Sequence, residues 1–177
     1  MARDYSFQDQ LGLSHGIAGD RTVEAILLAH IPNAVSVEVS AVSDDKQGTD
    51  YWVYRNNAKP LSVDLKARND DPMVSFGKDD LALETWSVKG RKIGWTLDAS
   101  RGTDYILWLF RPTKRWALVP FPMLCAVFTE HRDEWVARYS SPTQSSNNRS
   151  WESECVFVPR REIWAAIYRH FGGNGSH

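Results

Sequence analysis

The sequence is poor in cysteine, has no long apolar run, and carries no excess of charge of either sign. Cys125 and Cys155 are the only cysteines, and neither a CxxC pair nor a Cys/His cluster is present, which argues against a zinc site. The N-terminal residues lack the apolar core of a signal peptide, and no apolar run approaches membrane-spanning length. We therefore expect a cytoplasmic protein without a membrane partner.

The overall charge argues against one class of nucleic-acid-binding protein. The formal net charge is −1 and the sequence pI is about 6.5, so the chain has no global basic signature of a nucleic-acid coat protein. With 177 residues, 42% of them hydrophobic, the chain is long enough for one domain with a proper core. We expect an N-terminal extension over 1–19, a single domain over 20–171 and a flexible tail over 172–177.

Periodicity predicts an α+β fold. Val23, Ile26 and Leu27 recur at helical spacing after Asp20, which predicts an amphipathic helix there. Strands are predicted over 35–40, 50–55, 61–67, 81–86, 104–110, 115–119 and 154–158, and further helices over 120–139 and 160–171. Residues 69–80 and 140–150 are predicted to be polar loops. This order of elements indicates an α/β sandwich around a mixed sheet.

Two carboxylates and an ammonium group stand on neighbouring predicted strands. Asp50 begins one strand, and Asp64-Leu65-Lys66 lies in the next. Because side chains alternate along a strand, Asp64 and Lys66 share one face, and Val63 and Leu65 share the other. An acidic-x-Lys tripeptide is expected roughly once by chance in this composition, and a second copy lies in a predicted turn at 44–46. The placement of the residues, rather than the tripeptide, suggests metal-dependent phosphodiester hydrolysis.

A helix with Glu24, a strand, Asp50 at the start of a strand and then Asp64-Leu65-Lys66 give the chain its resemblance to a known superfamily. Over about residues 20–87 it resembles the PD-(D/E)XK nucleases, whose restriction-endonuclease-like fold has a mixed β-sheet core flanked by helices. The chain is also similar to small phage-borne members of this superfamily in four short runs: GTDY at 48–51, DLKAR at 64–68, LETWS at 83–87 and GWT at 94–96. Thr49 stands where the superfamily has its signature proline, and Asp64 takes a position more often held by Glu.

The resemblance implies a site and an activity. Asp50 and Asp64 would be ligands of Mg²⁺ or Mn²⁺, with the backbone carbonyl of Leu65 as a third ligand. Lys66 would orient the attacking water and stabilise charge on the phosphorus. Glu24 would complete the catalytic set, although an exposed helix charge explains it equally well. The implied activity is metal-dependent hydrolysis of DNA phosphodiester bonds.

Most of the residues expected to contact DNA come from a basic stretch. Between Trp86 and Trp116 there are seven Lys and Arg residues against two Asp residues, so this stretch is a candidate for phosphate contact. The expected nucleic-acid-binding residues are Arg68, Lys89, Arg91, Lys92, Trp95 and Arg101. Two of these assignments have alternatives, because Trp95 could pack under a loop and Arg68 could pair with Glu84.

Two other classes of function remain open at this point. The first is a catalytically inactive module that keeps the nuclease fold and binds DNA or a protein. The second is a structural domain in which Asp50, Asp64 and Lys66 form only an ion-pair cluster on the surface, which would contribute little stability. A nuclease of this size that cuts both strands is expected to act as a homodimer.

Overall fold

The computed structural model describes residues 21–41, 48–139, 144–145 and 152–172. Its helices are α1 (Arg21–His30), α2 (Pro72–Phe76), α3 (Phe121–Tyr139) and α4 (Arg160–Gly172), and a 3₁₀ turn spans Trp95–Leu97. Its strands are β1 (Ala34–Val39), β2 (Tyr51–Arg55), β3 (Ala58–Arg68), β4 (Asp80–Val88), β5 (Lys92–Ile93), β6 (Tyr105–Phe110), β7 (Arg115–Pro120), β8 (Gln144–Ser145) and β9 (Glu152–Pro159). The predicted α+β class, with a mixed sheet, is confirmed.

The chain divides into two compact units, each with its own sheet. The first unit combines residues 1–70 with 101–121, and its sheet has the strand order β1-β2-β3-β6-β7. In this sheet β3 and β6 are parallel, and the other neighbours are antiparallel. The second unit combines 71–100 with 122–177, and its sheet has the order β5-β4-β9-β8. A single nuclease-like domain over 20–171 stays a prediction.

Helix α1 packs on one face of the first sheet. Its predicted apolar stripe, Val23, Ile26 and Leu27, is buried. The core that it forms with the sheet also contains Ile31, Tyr51, Val53, Val63, Leu65, Leu107 and Leu109. Because β3 contributes Val63 and Leu65 to this core, its alternate residues Asp64 and Lys66 lie on the opposite face. The predicted division of β3 into two faces is confirmed.

A short helix lies where the sequence analysis predicts only a polar loop over 69–80. The backbone N–H of Met73 donates to Asp71 Oδ1 at 2.9 Å, so Asp71 caps the start of α2, and Pro72 takes the first helical position. Gly77, with a φ of +64°, ends the helix in the left-handed conformation. The prediction of loop alone was wrong here, since one turn of helix is too short to produce an apolar period.

Several other predictions concern residues outside the described part of the chain. These are the extension over 1–19, the turn at 44–46, most of the loop over 140–150 and the tail beyond Gly172. Within the described residues, no helix is both long enough and apolar enough to cross a membrane.

The packing of α1 predicts a large difference between two adjacent leucines. Leu27 is fully buried, whereas Leu28 is 36% exposed on the same helix. We expect Leu27→Ala to lower the free energy of unfolding by about 2–5 kcal/mol, because it leaves a cavity in the core. Leu28→Ala removes the same atoms and should cost less than ~1 kcal/mol. Urea denaturation of both variants checks this, and equal losses would contradict the placement of α1.

Candidate functional site

Asp64 is a buried carboxylate that is held by two cations. The Nζ atom of Lys66 lies 2.7 Å from its Oδ1, and Nη2 of Arg101 lies 2.8 Å from its Oδ2. The side chain of Asp64 is 4% exposed, and those of Lys66 and Arg101 are 20% exposed. A charge at this depth has to be paired. Asp64 and Lys66 therefore meet as predicted, and each carboxylate oxygen has a cationic partner.

Arg101 is set against Asp64 by the turn that precedes Asp50. Gly48 has a φ of +85°, and a Cβ atom built on it would lie 1.8 Å from Arg101 Nη2. Only glycine leaves room for the guanidinium at this position and also tolerates this backbone conformation. The hydroxyl of Thr103 donates to the carbonyl of Gly48 at 2.7 Å, which joins the segment after Arg101 to the same turn.

A second polar network fixes the start of β6 on β3. Asp104 Oδ2 accepts the backbone N–H of Ser62 at 2.8 Å. The Ser62 hydroxyl in turn donates to the carbonyl of Gly102 at 2.5 Å. Ser62 is fully buried, so these bonds satisfy polar groups that have no access to water. Together with the Thr103 bond, they hold the segment that carries Arg101 against β3.

Asp50 binds the same strand through a backbone group. Its Oδ2 accepts the N–H of Leu65 at 2.6 Å, and its own N–H donates to the carbonyl of Val63 at 2.9 Å. Tyr51, the next residue, faces the α1 core, so alternation directs Asp50 to the face that carries Asp64 and Lys66. The structure therefore brings three predicted site residues, Asp50, Asp64 and Lys66, to one region of one sheet face.

Glu24 is not part of this cluster in the structure. It lies on the exposed side of α1, and α1 packs on the sheet face opposite to Asp64 and Lys66. No hydrogen bond or ion pair joins it to the cluster within the described residues. Its catalytic role stays a prediction, and the alternative of an exposed helix charge agrees with its position.

The donor chemistry of the site suits a hard divalent cation, although the set of ligands is small. Carboxylate oxygens from Asp50 and Asp64, with a backbone carbonyl such as that of Leu65, are the ligand type that Mg²⁺ and Mn²⁺ prefer. Within the described residues, no group of three or more His, Cys, Asp or Glu side chains is arranged to hold a metal. A metal there would depend on two carboxylates, and one of them is already paired to two cations.

The predicted DNA-contact residues fall in both units. Arg68 and Arg101 belong to the first unit, and Arg101 is engaged with Asp64. Lys89, Arg91, Lys92 and Trp95 belong to the second unit. Lys89 pairs with Glu154 at 3.3 Å and is half exposed, Arg91 and Lys92 are exposed, and Trp95 is half-buried. Their role in binding DNA stays a prediction.

The acidic residues Glu84 and Glu38 have partners other than the site. Glu84 Oε2 accepts the hydroxyl of Ser87 at 2.6 Å and the backbone N–H of Trp95 at 3.1 Å. These two bonds satisfy the half-buried carboxylate of Glu84, which the sequence analysis had suggested could pair with Arg68. On β1, the negative charge of Glu38 raises the pKa of the exposed Tyr54 above its usual value.

The contact of Arg101 with Asp64 was missed by the sequence analysis, which assigned Arg101 to DNA contact alone. The two residues are 37 positions apart, and two strands of the second unit's sheet, β4 and β5, lie between them in the sequence. Gly48 was named only as part of the GTDY run that contains Asp50, and Thr103, which bonds to it, was not singled out. The one available signal was the Arg-Gly-Thr-Asp run directly before the apolar strand β6.

Comparisons with known proteins give little further information. No family profile and no curated protein sequence matches the chain. Among solved structures, the chain is similar to D212, a nuclease from a fusselovirus, with 11% sequence identity and a TM-score of 0.36. The match covers 97% of this chain and 99% of the viral one. At this level of similarity the activity of D212 is not transferred to this chain.

The paired cations predict the effect of removing Asp64 on stability. Asp64→Ala leaves Lys66 and Arg101 close together without a counter-charge, so we expect the free energy of unfolding to fall by about 3 kcal/mol. Glu24→Ala removes an exposed acid and should change it by less than ~0.5 kcal/mol. Urea denaturation of the two variants measures the difference. If Asp64→Ala is as stable as Glu24→Ala, the buried ion pairs contribute nothing to the fold.

Proposed function

We propose that the chain is a Mg²⁺- or Mn²⁺-dependent nuclease of the PD-(D/E)XK type that hydrolyses phosphodiester bonds of DNA. The observation that supports this most directly is the meeting of Asp64 and Lys66, 2.7 Å apart on one face of β3, with Asp50 bonded to the residue between them. The chain order of a helix followed by three antiparallel strands, the third of which carries Asp64 and Lys66, also supports it.

The side chains suggest how the work would be divided. Asp50 and Asp64 would hold the cation, which supplies a Lewis acid next to the scissile phosphate and lowers the pKa of a bound water. The ammonium group of Lys66, fixed by Asp64 Oδ1, would donate hydrogen bonds to the attacking water and to the phosphate oxygens. A donor held in place before the reaction stabilises developing negative charge without reorganisation.

Contact with the DNA backbone would come from the basic side chains. Arg91 and Lys92 are exposed and Arg68 is half-buried, so they can contribute Coulomb attraction that does not depend on base sequence. Because this attraction is screened by salt, binding would weaken as the ionic strength rises.

A second candidate function is supported by one specific observation. Both oxygens of Asp64 are paired with side-chain cations, so the protein itself supplies counter-charges to this carboxylate. A catalytically inactive module that keeps the fold and binds DNA would retain such a closed site. A shift of labelled DNA on a gel, with no cleavage in any metal, would favour this function.

Cleavage assays test the nuclease proposal. Purified protein is incubated with supercoiled plasmid, single-stranded DNA and branched DNA in Mg²⁺, Mn²⁺ or EDTA. We expect cleavage with either metal and none with EDTA. Lys66→Met should lower the rate at least about a hundredfold, since it removes a charged donor aimed at the reaction.

A matched pair of aspartates separates the role of Asp50 in catalysis from its role in the fold. Asp50→Asn and Asp104→Asn each keep an oxygen that can accept an N–H group from β3, so both variants should stay folded by circular dichroism. Asp50→Asn also weakens a metal ligand and should lose cleavage, whereas Asp104→Asn should cut like the wild type. Full activity in both Asp50→Asn and Lys66→Met would refute the site assignment.

A further inference from the structure

Arg101 binds one oxygen of Asp64, a carboxylate that a metal would need. Its Nη2 lies 2.8 Å from Asp64 Oδ2, and Lys66 occupies Oδ1 at 2.7 Å. A divalent cation that binds Asp64 therefore competes with a guanidinium ion for the same carboxylate. The competition takes place around a side chain that is only 4% exposed, where charges are poorly screened by solvent.

The charges of the cluster already balance. Asp50 and Asp64 contribute two negative charges, and Lys66 and Arg101 contribute two positive ones. A divalent cation added to this arrangement would raise the sum to +2 in a partly buried place, which is unfavourable. The imbalance falls if the guanidinium turns to an anion that arrives with the cation. A nucleic-acid phosphate carries such a charge and matches the planar donor fork of arginine.

The contacts of Arg101 leave part of its donor capacity unused. Its Nε atom is buried and has no hydrogen-bond partner within the described residues, and its one ion pair there is with Asp64. A guanidinium group has five N–H donors, so a buried donor without a partner is costly. The guanidinium of Arg101 would therefore gain hydrogen bonds if a phosphate, which has several acceptor oxygens, replaced its single contact with Asp64.

We propose that Arg101 couples metal binding to nucleic-acid binding: it excludes a divalent cation from Asp64 in the free protein and releases Asp64 when a backbone phosphate takes the guanidinium. This proposal rests on the proposed nuclease function. Arg101 is then a positioning residue, which acts on the metal site through Asp64. Since coupling free energies are reciprocal, metal and nucleic acid each tighten the binding of the other.

Calorimetric titration with Mn²⁺ tests the exclusion without any measurement of activity. We expect Arg101→Met to bind Mn²⁺ about tenfold more tightly than the wild type, or better, because the competing charge is gone. Gly48→Ala keeps the arginine but places a Cβ atom 1.8 Å from the present position of Nη2. Once circular dichroism shows that this variant folds despite the strained φ, it should also raise the Mn²⁺ affinity. A merely structural role of Arg101 would predict an unchanged or lower affinity in both variants.

The coupling is tested with two oligothymidylates of equal length. A phosphorothioate oligomer keeps the backbone charge and resists hydrolysis, and a methylphosphonate oligomer is neutral. We expect the charged oligomer to raise the Mn²⁺ affinity of the wild type but not that of Arg101→Met, and the neutral oligomer to raise neither. Titration of each oligomer alone corrects for Mn²⁺ bound to it. If Arg101→Met does not fold, the wild-type titrations decide, and no effect of the charged oligomer would overturn the proposal.

The outcomes separate this proposal from the nuclease function. Equal Mn²⁺ affinity in the wild type and Arg101→Met, lost in Asp50→Asn, would overturn the role of Arg101 and leave the metal site intact. No Mn²⁺ binding by any variant, with or without the charged oligomer, would overturn both the coupling and the metal-dependent mechanism.

Discussion

The buried carboxylate of Asp64 is the constraint on which the candidate site depends. A carboxylate that is almost fully removed from water needs counter-charges. Lys66 supplies one from the same strand, and Arg101 supplies the other from 37 positions away in the sequence. To deliver Arg101, the turn at Gly48 must leave space for the guanidinium, and Thr103 must bind that turn. The glycine, the threonine and the arginine thus form one arrangement around Asp64.

This arrangement bears on function, because an ion pair that stabilises the free protein also limits what the carboxylate can bind. A site built only for stability would gain as much from apolar side chains of similar volume. A site built to hold a cation at all times would not place two positive side chains on the same carboxylate. The proposed cluster would differ from both kinds of site. It would open for an anionic substrate, and its buried charges would stay paired before and after the substrate binds.

The proximity of Asp64 and Lys66 could be predicted from the sequence alone. Side chains alternate along any strand, so Asp64 and Lys66 share a face as soon as β3 is predicted to be a strand. The contact with Arg101 depends on the parallel pairing of β3 with β6, and no local period encodes which strands become neighbours. The helix α2 was missed for another reason, since its signals were a cap and a proline rather than an apolar stripe. The basic stretch over 86–116, continuous in the sequence, is divided between two units.

The cluster lies at the point in the sheet where β3 stops pairing with β2. The antiparallel pairing of β2 with β3 extends to Tyr51 opposite Val63, and beyond it the Asp50 carboxylate takes the N–H of Leu65. On its other side β3 stays paired with β6 as far as Arg68. At Leu65, therefore, one edge of β3 is paired with the backbone of β6, and the other edge is bonded to the side chain of Asp50. A side chain can exchange its partner without breaking the sheet, so we expect the end of the β2 pairing to be the place where a ligand would be accommodated.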